Sequence, residues 1–350
     1  MTAMPIPVPF RRLSKALCVP LAFAAAFTAS ADPLSELASF SAVKDVNLEK
    51  LAGGSVQMGR GAAMGFPRGL AVESVYVVRK PLQATVESHQ RWNPARHSGL
   101  KVYLHTDIPS RPGPGDFQKL DSAPSNRAVK SLVAATQKLA SGGTDLQLSN
   151  AERSAFSAQG DGGGGAMPAN VSAFWRNVLL QRSQAFLSGG AGRLAPYETG
   201  KESIRAADEI ARLLKEAGKI RGQFAGLIGA NPLTGGRGSL SPSPYWELVD
   251  VEGQAAVSLG VSYSKSGAGS WQMLDGQYYS SGGYYVLLTF QQFWPVQIGG
   301  QEATLVWRGD LLSAASLANL HGVERMGSSS AFMRETRRNV EALLKDAGRK

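Results

Sequence analysis

Between residues 257 and 264 large apolar and small polar side chains alternate without a break: Val257, Leu259, Val261 and Tyr263 against Ser258, Gly260, Ser262 and Ser264. Strand side chains point alternately to two faces, so this period of two commits the segment to a half-buried strand with one wet face. The chain then turns at "SGAGS" (266–270), returns through "WQMLDGQYY" (271–279) and turns again at "SSGG" (280–283). "YYVLLTFQQFW" (284–294) and "QEATLVWRGD" (301–310) supply two further arms. Short Gly/Ser connections between such arms predict antiparallel neighbours. Strict alternation also assigns Tyr278 and Tyr279 to opposite faces, and likewise Tyr284 and Tyr285, so at most one of each pair can line a cavity.

Upstream, "SVQMGR" (55–60), "GLAVESVYVVRK" (69–80) and "LKVYLHT" (100–106) read as strands. Pro81 opens a helix between the last two, with Leu82, Thr85, Val86 and His89 on one face. Residues 35–52 form a short helical lead-in. Helices are predicted over 125–139, 171–187 and 201–229, and a helical tail over 328–347. The glycine-rich segment 140–170 reads as a mobile loop, and 230–244 as a linker. The expected fold class is α+β: an antiparallel curved sheet gripped by a long C-terminal helix. Residues 32–350 form one domain, with 55–106 and 245–350 flanking a helical insertion at 107–244.

Residues 1–31 have the anatomy of a secretory signal peptide. Arg11, Arg12 and Lys15 precede an apolar run from Ala16 to Thr28, and Ala29-Ser30-Ala31 offers a cleavage site. Export to the periplasm or beyond follows. The lone cysteine, Cys18, lies inside this leader, so the mature chain has neither disulfide nor thiolate chemistry. No later stretch is apolar for long enough to span a membrane. The formal charge of +10 is spread thinly, without a basic block, and argues against a nucleic-acid partner.

The order of strand, proline, helix, helical excursion, antiparallel strands and closing helix resembles the helix-grip fold of the START and polyketide-cyclase-like (SRPBCC) superfamily. The residues that carry the resemblance are "VYVVRKPLQATVESHQRW" (75–92), the tail at 328–347 and "YWELVDVEG…VSLGVSYS…QYYSSGGYYVLLTF…ATLVWRGDLLS". It covers 55–106 and 245–347, and departs from the family's pattern over 125–229. It implies a cavity between sheet and C-terminal helix that accepts an apolar or lipid-like ligand.

No catalytic residue, metal ligand set or cofactor motif is assigned. The histidines are His89, His97, His105 and His321, with no H-E-x-x-H. His105 and Asp107 share a strand face and could join His89 or His97 on a metal; the plainer reading has His105 in an ordinary hydrogen bond and His89 on the wet edge of its helix. No serine sits in a G-x-S-x-G elbow. Gly160 to Gly165 match G-x-G-x-x-G without the preceding strand that a nucleotide site needs. Asp250 and Glu252 could do acid–base work, but beside Gly253 they read as a turn. Arg334, Arg337 and Arg338 read as a solvated helix face. The candidate ligand-binding residues are Trp246, Tyr263, Tyr279, Tyr285 and Trp307, whose rings suit either a ligand wall or core packing. Three functions stay open: a non-catalytic carrier of an apolar small molecule or lipid, an envelope structural or interaction protein, and a hydrolase with a dispersed site. The last needs His105, His89 or His321 to meet a carboxylate or serine.

Overall fold

In the computed structural model, which describes residues 32–157, 167–199, 202–267 and 269–348, every expected strand is present. The expected signal peptide lies outside the described residues, as do Gly160 and Gly162 to Gly165. Two short helices, α1 (Pro33–Phe40) and α2 (Leu48–Ala52), lead into β1 (Gln57–Arg60) and β2 (Gly69–Val78). Asp32 caps α1 by accepting from the Ser35 amide, and Asn47 caps α2 through Lys50. Pro81 starts α3 (Leu82–Gln90), which leads to β3 (Val102–Asp107).

The segment expected as a helical insertion follows, with α4 (Arg127–Gln137), α5 (Asn150–Ser154), α6 (Ala169–Gly189), the small hairpin β4 (Tyr197–Glu198) and β5 (Ser203–Ile204), then α7 (Ala206–Glu216), α8 (Gly218–Gln223) and α9 (Ala225–Ile228). Two expectations change here. The single helix expected at 201–229 is broken into α7, α8 and α9, with Ala217 (ψ 51°) and Phe224 (ψ 17°) out of helical geometry at the joints. Of the segment expected as a mobile loop at 140–170, the part up to 157 is held by buried Leu146 and Leu148 and by the capping box of α5, in which Ser149 and Glu152 bond reciprocally, while 158–166 lie outside the described residues.

The C-terminal third is a meander of β6 (Ser243–Val251), β7 (Gln254–Ser266), β8 (Trp271–Ser280), β9 (Val286–Ile298) and β10 (Gln301–Ser313), closed by α10 (Gly322–Ala347). The eight-stranded sheet has the order β1-β2-β10-β9-β8-β7-β6-β3, and every pairing is antiparallel. β2 and β3 thus cap opposite ends of the meander, and α3 carries the chain from one to the other. Glu252 and Gly253 both take positive φ (54° and 89°) in the β6–β7 turn, and Asp250 accepts from the Gly253 amide. The Asp250–Glu252 pair is therefore turn chemistry.

Alternation sorts the sheet into two unlike faces. Val75, Val257, Leu259, Val261, Leu274, Phe290, Trp294 and Leu305 join one large core with residues of α1, α2 and the insertion. Burying each such side chain contributes about 1.5–3 kcal/mol. The opposite face meets α3 and α10 through a smaller cluster that includes Tyr76, Val78, Val86, Phe293, Val306, Val340 and Leu343. The first half of α10 rests on a third, in which Phe332, Tyr284 and Leu312 pack around Leu70, Ala314 and Leu317.

The tyrosine pairs obey alternation once and break it once. Tyr285 lies in the large core while Tyr284 turns to the other face, its hydroxyl donating to Gln277 Oε1. In β8 a bulge between the pairs Leu259–Tyr279 and Gly260–Gln277 inserts Tyr278, so both tyrosines face the large core. Tyr278 stacks on Phe186 at 4.0 Å, and Tyr279 lies beside Tyr197 at 6.0 Å. The "SSGG" connection does join antiparallel neighbours. Gly283 holds φ 84°, and a Cβ there would stand 2.4 Å from Val251 Cγ1. Gly283→Val should therefore cost about 3 kcal/mol, combining left-handed strain with overpacking. Gly282→Val, with open space and no positive φ, should be mild. Equal urea midpoints for the two variants would refute this account of the turn.

Candidate functional site

The structure puts Trp246, Tyr263, Tyr279, Tyr285 and Trp307 in one core, but on the sheet face turned away from α10. The Trp246 indole donates to the Asp116 carbonyl at 3.1 Å. The Trp307 indole donates to Glu73 at 2.9 Å, a carboxylate that Ser41 also bonds at 2.6 Å. Tyr285 gives its carbonyl to the Tyr197 hydroxyl at 3.1 Å, and the Tyr279 ring packs 4.2 Å from the Arg182 guanidinium. These five rings pack the insertion against the sheet and cannot line a cavity under α10.

The other face, on which α10 packs, carries the polar side of the alternation, and it is not the wet face expected: Ser258, Glu247, Thr289 and Asp310 are all buried. On β6 and β7, Tyr245 stands opposite Gly260 and Glu247 opposite Ser258; on β3, His105 pairs with Glu247. Ser262 faces Asp275, Asp275 faces Thr289, and Thr289 faces Asp310 across three successive ladders. A polar strip thus crosses the sheet from His105 to Asp310. His105 Nδ1 lies 2.9 Å from Glu247 Oε1, and Gln277 donates to Glu247 Oε2 at 2.8 Å. The Tyr245 hydroxyl donates to Asp275 at 2.7 Å, and Ser262 donates to its other oxygen. Only glycine at 260 permits this reach, because a Cβ there would stand 2.2 Å from the Tyr245 ring.

Electrostatics set the protonation balance of the strip. Burial raises the Asp275 pKa above the ordinary carboxylate range, and the Glu247 charge adds to the rise against hydrogen bonds from Ser262 and Tyr245. For His105, burial alone would lower the pKa. The hydrogen bond and charge of Glu247, with the charges of Asp107 and Asp275, outweigh it and raise the value. His105 and Glu247 side chains are 15% and 7% exposed, so the pair is screened from bulk water yet still reachable.

The remaining histidines separate. His89 is buried, not on a wet edge: its Nδ1 meets the Thr85 carbonyl at 2.8 Å and its Nε2 the Tyr76 hydroxyl at 2.9 Å. His97 pairs with Asp346 at 2.7 Å beside a cleft of about 840 Å³ between α3 and the end of α10. His321 precedes α10 without capping it. Among the described residues, no three His, Cys, Asp or Glu side chains are placed to hold a metal ion. No helix among them is long and apolar enough to cross a membrane.

The strip was only partly visible in the sequence. His105 was a candidate, whereas Tyr245, Glu247, Asp275, Gln277 and Arg308 were not. For Glu247, Asp275, Gln277 and Arg308 the signal was a charged or amide side chain on the polar side of arms otherwise rich in apolar residues, where Asp and Glu are depleted; Tyr245 carried no such signal. No protein-family model matches the chain, and no curated protein matches it in sequence.

Proposed function

We propose that this chain is a non-catalytic binding protein of the helix-grip kind. Its ligand would lie between the sheet and α10, with a polar end on the His105–Asp310 strip. The resemblance to START-like proteins supports the location. The observation that carries the reading is a half-buried hydrogen-bonded strip at the foot of a helix whose Phe332 packs with Tyr284 and Leu312. That chemistry suits an amphiphilic small molecule better than a wholly apolar one, since stripping water from Asp275 and Glu247 without replacement is costly. The leader anatomy of residues 1–31 supports export as the setting.

The reading is tested by native mass spectrometry of protein recovered from the periplasmic fraction, expected to begin near Asp32 and to carry a small molecule. Gly260→Leu, which displaces the Tyr245 ring, should release that molecule while far-UV circular dichroism stays unchanged. A protein that comes out free of small molecules and takes up none from a total lipid extract would refute the proposal. The hydrolase reading keeps one supporting observation, the His105–Glu247 contact at 2.9 Å. It lacks a nucleophile there: His105 Nε2 has Asp107 at 3.9 Å, and Ser262 is engaged with Asp275.

A further inference from the structure

At the inner end of the strip, Arg308 is tied down by one edge only. Its Nε donates to both oxygens of Asp310, at 3.0 and 2.9 Å. Asp310 also accepts from Thr289 at 2.6 Å and from Thr336 of α10 at 3.1 Å, so its lone pairs are filled and it is fully buried. The two Nη groups of Arg308 make no hydrogen bond among the described residues, and the side chain is 15% exposed. Directly opposite Arg308 in the β2–β10 ladder stands Ser74, fully buried, whose hydroxyl has no partner among the described residues. A guanidinium fork and a hydroxyl in this position lie between two apolar steps of the same strand face, Val306 and Leu312. A buried hydroxyl such as that of Ser74 is rarely left unmatched, and the Arg308 Nη groups beside it are partly exposed and open to a further acceptor.

We infer that the Arg308 Nη pair, with Ser74, receives the carboxylate of an amphiphilic ligand whose apolar body lies against Phe332, Leu312 and Tyr284. This rests on the binding site proposed between sheet and α10. The planar fork matches a carboxylate bidentately. A monoanion is favoured over a phosphate dianion because Asp275 and Asp310 share the face, and a second ligand charge would add repulsion.

The test is isothermal titration of the leaderless chain with octanoate, octan-1-ol and octyl phosphate. Octanoate should bind at least tenfold tighter than the alcohol, and Arg308→Gln should weaken octanoate by about 10–100-fold while leaving the alcohol unchanged. Ser74→Ala should cost octanoate a few-fold. If Arg308→Gln fails to fold, Arg308→Lys, which keeps the charge beside Asp310 but loses the fork, should still lower the preference for acid over alcohol. Equal affinity of wild type for acid and alcohol would overturn the role of Arg308 while leaving the site itself standing. Tighter binding of octyl phosphate would overturn the carboxylate. Binding of none of the three would overturn both this inference and the site.

Discussion

Replacing Arg182 by methionine is expected to destabilise the protein by about 3–5 kcal/mol, the range for breaking a buried ion pair from one side. Arg182 and Glu152 meet through two parallel bonds of 2.7 Å, and their side chains are 2% and 8% exposed. The guanidinium also donates to the Ala195 carbonyl at 3.0 Å and lies over the Tyr279 ring. Without it, Glu152 would keep only the Ser149 amide and hydroxyl as donors inside the core. Methionine preserves much of the packing volume, so the loss should report the stranded carboxylate. The double variant Arg182→Met with Glu152→Leu should recover most of the loss, because neither charge then remains to be desolvated. Guanidinium unfolding midpoints decide this. A single variant within about 1 kcal/mol of wild type would mean that water reaches Glu152, contrary to its burial.

The second large effect is acid lability through His89. Burial dominates its surroundings and, with the nearby Arg308 charge, lowers its pKa to about 4 despite the opposing hydrogen bond to the Thr85 carbonyl. The neutral ring has its proton on Nδ1, facing Thr85, and accepts from Tyr76 at Nε2. A base held neutral in the fold contributes stability that is complete above its unfolded pKa near 6.5 and is lost as pH falls from there through 4. By pH 4 the loss should reach about 3 kcal/mol. His105 and Asp275, both with raised pKa values, act in the opposite sense. The His105 pairing is fully present below its ordinary value and weakens as pH rises through the raised one. Asp275 likewise penalises the fold as pH climbs above its ordinary range. The histidine effect is therefore isolated by difference: the stability gap between wild type and His89→Gln should narrow steadily from pH 7 to pH 4.5. A constant gap would refute the assignment.

Much of the sheet was legible because alternation at 257–263 puts Leu259 and Ser258 on opposite faces of a strand, although Ser258 proves to be buried on its own face as well. Pro81 fixed the start of α3 for an equally local reason. The helix α10 begins at Gly322, ahead of the expected 328, because Gly327 and Ser328 to Ser330 are weak helix formers and hide its first turns. The breaks inside 201–229 were hidden by the opposite effect: Ile210, Leu213, Ile220, Phe224 and Leu227 are all buried, so the apolar stripe continues across joints where the backbone does not. For α5, the Ser149–Glu152 capping box was a usable signal. What no local pattern could tell was which helices would cover which face. Alternation separates Trp246 from Glu247 but does not say which one meets α10, so the candidate aromatics were placed on the wrong side of a correctly read sheet.

The strand order has a consequence for how the molecule assembles. β2 is buried along its whole length; β1 pairs with part of one edge, and β10 covers the other, with Val78 opposite Thr304 and Gly69 opposite Ser313. A chain emerging from the ribosome displays this apolar ribbon, its β10 edge unpaired, until nearly everything downstream has been made. Pairings that distant are slow to form, and open strand edges invite association with other chains. Folding of this protein is therefore expected to wait for the completed chain instead of proceeding piece by piece, with β10 as the element whose arrival closes the sheet.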